Sequence, residues 1–161
     1  MSGASRPFDV RVGAYAVVIQ DGQILLAHWH QHGHSAWTLP GGGLEFGEDA
    51  PTAAVREVRE ETGYTVELDG LLGVDSHFIP PEKRLHGEGR MLHALRVIYR
   101  ASITGGSLVS EQAGSTDEAA WFPLAEVAGL ERVGLVDAAL ELLRTAPQEG
   151  TAPLRHGRNT V

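Results

Sequence analysis

The stretch "PTAAVREVREETG", residues 51–63, constrains the fold more than any other part of the chain. Pro51 sits where a first helical turn tolerates a missing N–H, and Gly63 supplies a C-terminal stop. Between them the periodicity is helical. At about 100° per residue, Glu57, Glu60 and Glu61 fall within one arc of roughly 100°. Val55, Val58 and Thr62 fall on another arc, suited to packing on a sheet. Arg56 stands four residues before Glu60, the spacing of a helical ion pair. Like charges this close repel, so stability alone does not select them. A solvated charged helix is the simplest account of "REVREE". The second account is a hard oxygen site for Mg²⁺ or Mn²⁺, since glycines with accessible carbonyls stand just upstream.

The rest of the chain supplies the sheet that this helix needs. "VGAYAVVIQDGQILLAHW" predicts two strands around the turn Asp21-Gly22. "AWTLPGGG" predicts a short strand broken by Pro40 and three glycines, and "TVELDGLLGVDSHFI" a strand or pair of strands. "PPEKRLHGEGR" predicts a polar loop, and "MLHALRVIYRASI" and "AAWFPL" two further strands. "LAEVAGL" and "VGLVDAALELLRT" predict C-terminal helices. The expected class is α/β (α+β), a mixed β-sheet sandwiched between helices. The expected organisation is one domain over residues 1–145, with 146–161 a disordered tail lacking apolar periodicity.

Composition excludes some functions. The formal net charge of −8 argues against a nucleic-acid polymer as partner. No apolar run is long enough to span a bilayer, and the first residues carry no hydrophobic signal core. With no cysteine there is no disulfide framework. These features predict a cytoplasmic protein that needs no membrane.

The spacing around the helix is more specific than the helix itself. Gly42 is followed after five residues by Glu48, and Glu48 after seven by Arg56-Glu57. Val58, Glu60, Glu61 and Gly63 complete the series. It resembles the Nudix box, G-x5-E-x7-R-E-U-x-E-E-x-G-U, where U is a bulky apolar residue. Tyr64 stands in the last place, where the family more often has an aliphatic residue. The lead-in "WTLPGGGLEFGE" and the later "STDEAAWFPLAEV" are also similar, so the resemblance covers roughly residues 11 to 145.

A Nudix (MutT-like) hydrolase cleaves a diphosphate linked to a further group X. The resemblance therefore implies the Nudix fold, a divalent cation, Mg²⁺ with Mn²⁺ as substitute, and a small-molecule diphosphate substrate. It implies Glu57, Glu60 and Glu61 as metal ligands, helped by a carbonyl near Gly41 or Gly42, with Glu48 supporting the cluster. Glu57 would also hold or deprotonate the attacking water. Arg56 would hold the carboxylates by charge-assisted hydrogen bonds. An acid outside the box is nominated as Glu111 or Glu118, each equally readable as a surface glutamate. The substrate class stays open between dNTPs, ADP-ribose or nucleotide sugars, and isoprenoid or other non-nucleotide diphosphates. Pro80, sixteen residues beyond Tyr64, is placed as in members that hydrolyse ADP-ribose, and is also ordinary turn chemistry. A homodimer is open, as is a catalytically silent ligand-binding module on the same fold.

"HWHQHGH" places His28, His30, His32 and His34 at alternate positions, one face of a continuous strand. Zinc binding lacks a cysteine or acid to complete the set, which leaves contact with phosphate or X, or solvent exposure. Trp37, Trp121 and Phe122 are expected in the core. Tyr15 and Phe78 are expected to be buried rather than stacked on a base. Arg84 and Arg90 are candidates for phosphate contact or for a solvated loop.

Overall fold

The computed structural model describes residues 7–31, 33–84, 89–109 and 116–146. Seven strands form one mixed sheet, with main order β3-β2-β1-β6-β5. The strands are β1 (Phe8–Gln20), β2 (Gln23–Gln31), β3 (His34–Thr38), β4 (Gly41–Gly43), β5 (Tyr64–Ile79), β6 (Met91–Gly106) and β7 (Thr116–Pro123). β4 pairs with β1, and β7 with β2. β1 and β6 run parallel in continuous register from Phe8–Met91 to Val18–Ala101, while the other pairs are antiparallel. The expected mixed sheet between helices is the architecture found.

Helix α1 (Ala50–Thr62) lies on one face and α2 (Gly134–Thr145) on the other. Strand alternation explains the division. Ala14, Ala16 and Val18 point from β1 towards α1, meeting Ala53, Ala54 and Val58. Val17 points the opposite way, joining Ile98, Leu72 and the α2 residues Leu135, Val136, Ala139 and Leu142. Burying each larger aliphatic side chain contributes roughly 1.5–3 kcal/mol, so both helices are fixed by their apolar stripes.

Local chemistry sets the boundaries. Asp21 and Gly22, at φ 51° and 74°, make the tight turn that their sequence predicts for β1 and β2. "AWTLPGGG" forms parts of two strands, β3 and β4, interrupted at Leu39 and Pro40. β5 is one strand whose pairing with β6 slips at three places, which bends it without splitting it. "LAEVAGL" does not form an α-helix. Leu124–Gly129 is a 3₁₀ segment, because six residues after Pro123 are too short to repay nucleation of an α-helical ladder. Pro81–Lys83 forms another 3₁₀ turn in the segment expected to be a loop. Residues 147–161, nearly all of the expected tail, lie outside the described residues. Among the described residues no helix is long and apolar enough to cross a membrane.

Candidate active site

Helix α1 is anchored at both ends. Asp49 accepts a hydrogen bond from the Thr52 N–H at 2.9 Å, and Pro51 sits in the first turn. The Gly63 N–H caps the Arg59 carbonyl at 3.0 Å with φ 78°. A Cβ there would lie 2.4 Å from the Ser107 carbonyl oxygen, so only glycine fits. Val58 and Thr62 are buried as their arc predicts, and Val55 is half-buried.

The three box glutamates occupy distinct environments. Glu61 is 5% exposed and accepts a hydrogen bond from the Gly41 N–H at 2.9 Å. The Glu57 side chain is mostly buried, while that of Glu60 is half-exposed. Glu57 packs onto β4 so closely that a Cβ on Gly42 would lie 2.6 Å from its carboxylate oxygen. β4 thus carries no side chain where the helix presents its acids.

Arg56 organises the cluster. Its Nε donates to one Glu48 oxygen at 2.8 Å and its Nη2 to the other at 2.9 Å. Nη1 reaches Glu57 at 3.0 Å and Glu60 at 3.2 Å, and Nη2 also meets the Gly43 carbonyl at 3.2 Å. The fork geometry of guanidinium suits this bidentate pairing. Glu48 also accepts from the Glu45 N–H. Hydrogen bonds from Arg56 and then Glu45 hold its carboxyl down to about 2. The same bonds push the Arg56 pKa up, Glu48 first and then Glu57. Among the described residues no three acidic or imidazole side chains are grouped as a ready metal site. Arg56 binds Glu48, Glu57 and Glu60, and the Gly41 N–H binds Glu61.

The acid nominated outside the box is not joined to this cluster. Glu118 is exposed on β7, in register with His28, and its side chain makes no hydrogen bond or ion pair with a described residue. Glu111 lies outside the described residues. The histidine tract also departs from expectation. β2 and β3 reverse direction, pairing Gln31 with His34, which places His34 on the face opposite His28 and His30. His32 lies outside the described residues. An acid does reach the pair. A register shift opposite His28 and Trp29 re-aims Asp117, whose carboxylate lies 2.8 Å from His28 Nδ1 and 3.9 Å from His30 Nε2. Its pKa is lowered, first by the His28 hydrogen bond. His28 also packs on Trp37, and Trp37 on Phe122, so part of the tract is structural.

Several residues beside the cluster carry no local motif. Tyr15 folds back over Gly13, and burial, opposed by Arg11 and Arg96 and reinforced by Glu61 and Glu57, raises its hydroxyl pKa. It remains a protonated donor at neutral pH. Arg96 pairs with Asp75 across β6 and β5. Arg84 and Arg90 are neither free loop cations nor simply solvated: both bind Asp9 of β1, at 2.8 and 3.1 Å. Phe78 is exposed, contrary to the expected burial, and stacks on His93 with ring centres 4.4 Å apart. The signal for Arg11, Gly13 and Tyr15 is their alternation in "RVGAY", which places them on one face of β1.

Residues 8–144 match the NUDIX domain. The chain belongs to this family. It is 32% identical over 115 residues to an 8-oxo-(d)GTP phosphatase of Mycolicibacterium smegmatis, covering 71% of this chain and 28% of the relative. It is 35% identical over 116 residues to a putative ADP-ribose pyrophosphatase of Bacillus subtilis, covering 71% and 49%. The chain thus spans less than half the length of either relative. A NUDIX hydrolase from Nitrosomonas europaea has a similar fold, with TM-score 0.67, 26% identity and coverage of 86% of this chain and 89% of that one.

Proposed function

We propose that this NUDIX chain is a divalent-metal-dependent hydrolase cleaving the diphosphate linkage of a nucleoside diphosphate derivative of the dNTP, ADP-ribose or nucleotide-sugar class. One observation carries this reading: α1 presents Glu57 and Glu61 against a strand of three glycines. The donor set is oxygen only, which fits a hard cation such as Mg²⁺ or Mn²⁺. Glu57, Glu60, Glu61 and the Gly42 carbonyl would hold it, with Glu48 in support. The ion would neutralise the diphosphate and lower the pKa of water. Water attacks one phosphorus, the bond to the bridging oxygen breaks, and Glu57 takes the proton of the water. Arg56 orients Glu48, Glu57 and Glu60 through its hydrogen bonds. The side-chain-free β4 leaves room for phosphate oxygens beside the acids.

The two relatives are named an 8-oxo-(d)GTP phosphatase and a putative ADP-ribose pyrophosphatase, so both substrate classes belong in the test. Cytoplasmic residence, a small-molecule partner, the absence of a nucleic-acid polymer and a homodimer as an option complete the proposal. The test is a panel of dNTPs, ADP-ribose and nucleotide sugars with Mg²⁺, following release of monophosphate or phosphate. Metal-dependent turnover supports the enzyme. Tight binding of one member without turnover would instead establish the silent binding module.

A further inference from the structure

The face of the sheet opposite α1 carries the reverse charge. Alternation puts Asp9, Arg11, Gly13 and Tyr15 of β1 on that face. Gly13 is in register with Gly43 on one side and Arg96 on the other, and Arg96 with Asp75. Arg11 is in register with Ala94, and Ala94 with His77. Gly43, Gly13 and Ala94 thus form a row of small residues flanked by Arg11, Arg96 and His77, with the Tyr15 ring lying over Gly13. Val17 and Ile98, further along the same face, are covered by α2.

Cations exceed anions here. Arg96 has Asp75, and Arg84 and Arg90 share Asp9. Arg11 is exposed and its side chain makes no hydrogen bond or ion pair with a described residue. Among the described residues four arginines therefore face two aspartates, in a chain of net charge −8. Arg84 and Arg96 are each only 11% exposed, and the Arg84 Nε is buried without a hydrogen-bond partner. The Arg11 guanidinium lies against Gly43, where a Cβ would meet it at 3.3 Å. Gly42, one residue earlier, faces Glu57 on the other side. Only the backbone of β4 separates the acids from this cation.

We propose that the basin binds a phosphate that the substrate carries beyond the scissile diphosphate, with Arg11 as its direct contact and the glycine strand as the passage between the two faces. A phosphate is a point of high charge that forked guanidinium recognises, whereas a neutral sugar gains little there. The inference rests on the diphosphatase reading and selects within it. A nucleoside triphosphate and a nucleotide sugar phosphorylated on its sugar share this chemistry.

The test compares kcat/KM for three substrates of one nucleoside: the triphosphate, the diphosphate sugar, and that sugar bearing a phosphate. The wild type should favour one or both phosphate-bearing substrates by at least tenfold, and which one is favoured identifies the source. Arg11→Gln should shrink that preference at least tenfold, chiefly through KM, with Arg11→Lys intermediate and Arg144→Gln, on α2, controlling for loss of charge. Binding of tripolyphosphate in EDTA tests the basin without turnover. Arg11→Gln should weaken it at least tenfold, and Glu57→Gln should not. Equal kcat/KM for all three substrates, or a preference or tripolyphosphate affinity untouched by Arg11→Gln, overturns the proposal. Absence of turnover with intact, Arg11-dependent binding would instead sink the hydrolase reading alone.

Discussion

The two sides of β4 differ in charge and in how they are built. On the α1 side the acids come from thirteen consecutive helical residues plus Glu48, tied together by one arginine. On the opposite side the cations come from β1, from β6 and from Arg84 and Arg90, and the two strands meet because β1 and β6 pair in parallel. The first arrangement is local and rigid, suited to chemistry that needs fixed geometry. The second is assembled from distant strands, where substitutions can change preference without disturbing the helix. The contrast predicts that catalytic power and substrate choice separate across three glycines.

The largest effect tests the acidic side. Glu57→Gln should lower kcat by at least ~10²-fold with the fold retained, because it weakens both the proposed metal ligand and the proposed base. Circular dichroism together with turnover of the best substrate checks this, and near wild-type turnover would remove Glu57 from the mechanism. A smaller effect tests the passage. Gly42→Ala places a Cβ 2.6 Å from the Glu57 carboxylate and should cost about tenfold in activity by displacing it, with the chemical groups intact. Gly63→Ala should instead cost stability, roughly 1–3 kcal/mol, through its left-handed φ and the clash with Ser107. Chemical denaturation and kinetics on the same two variants distinguish the site from the scaffold.

Two weaker effects sharpen the acidic side. Millimolar Mg²⁺ or Mn²⁺ should raise the Tm, since a ligand bound by the folded state alone stabilises it, and Zn²⁺ should show no special advantage. A thermal scan unmoved by either ion, with or without substrate, would count against a metal site. The smallest effect concerns Glu48. Its folded pKa is depressed from 4.5 to about 2, so its contribution is fully present above 4.5 and is lost as pH falls towards 2. The Tm difference between wild type and Glu48→Gln should therefore shrink over that window, and a constant difference would contradict the Arg56 bond as its source.

The contrast also explains what the sequence makes legible. Glu57, Glu60, Glu61 and Arg56 could be placed relative to one another because helical geometry fixes residues one to five apart. The burial of Glu61 was not visible, because it depends on the Gly41 N–H, twenty residues away. The Asp21-Gly22 turn was legible through its backbone requirement. His34 was misplaced because a reversal between β2 and β3 intervenes, and Asp117 was missed because a register shift brings it to His28. Arg11 and Arg96 lie 85 positions apart, and no periodicity within either strand announces that Gly13 will join them in register.

Steady-state kinetics of Glu57→Gln and Arg11→Gln on one phosphate-rich substrate test the separation most directly. The account predicts that Glu57→Gln loses at least ~10²-fold in kcat, whereas Arg11→Gln raises KM about tenfold with kcat held within about threefold. A loss of kcat in Arg11→Gln as large as that in Glu57→Gln would contradict it.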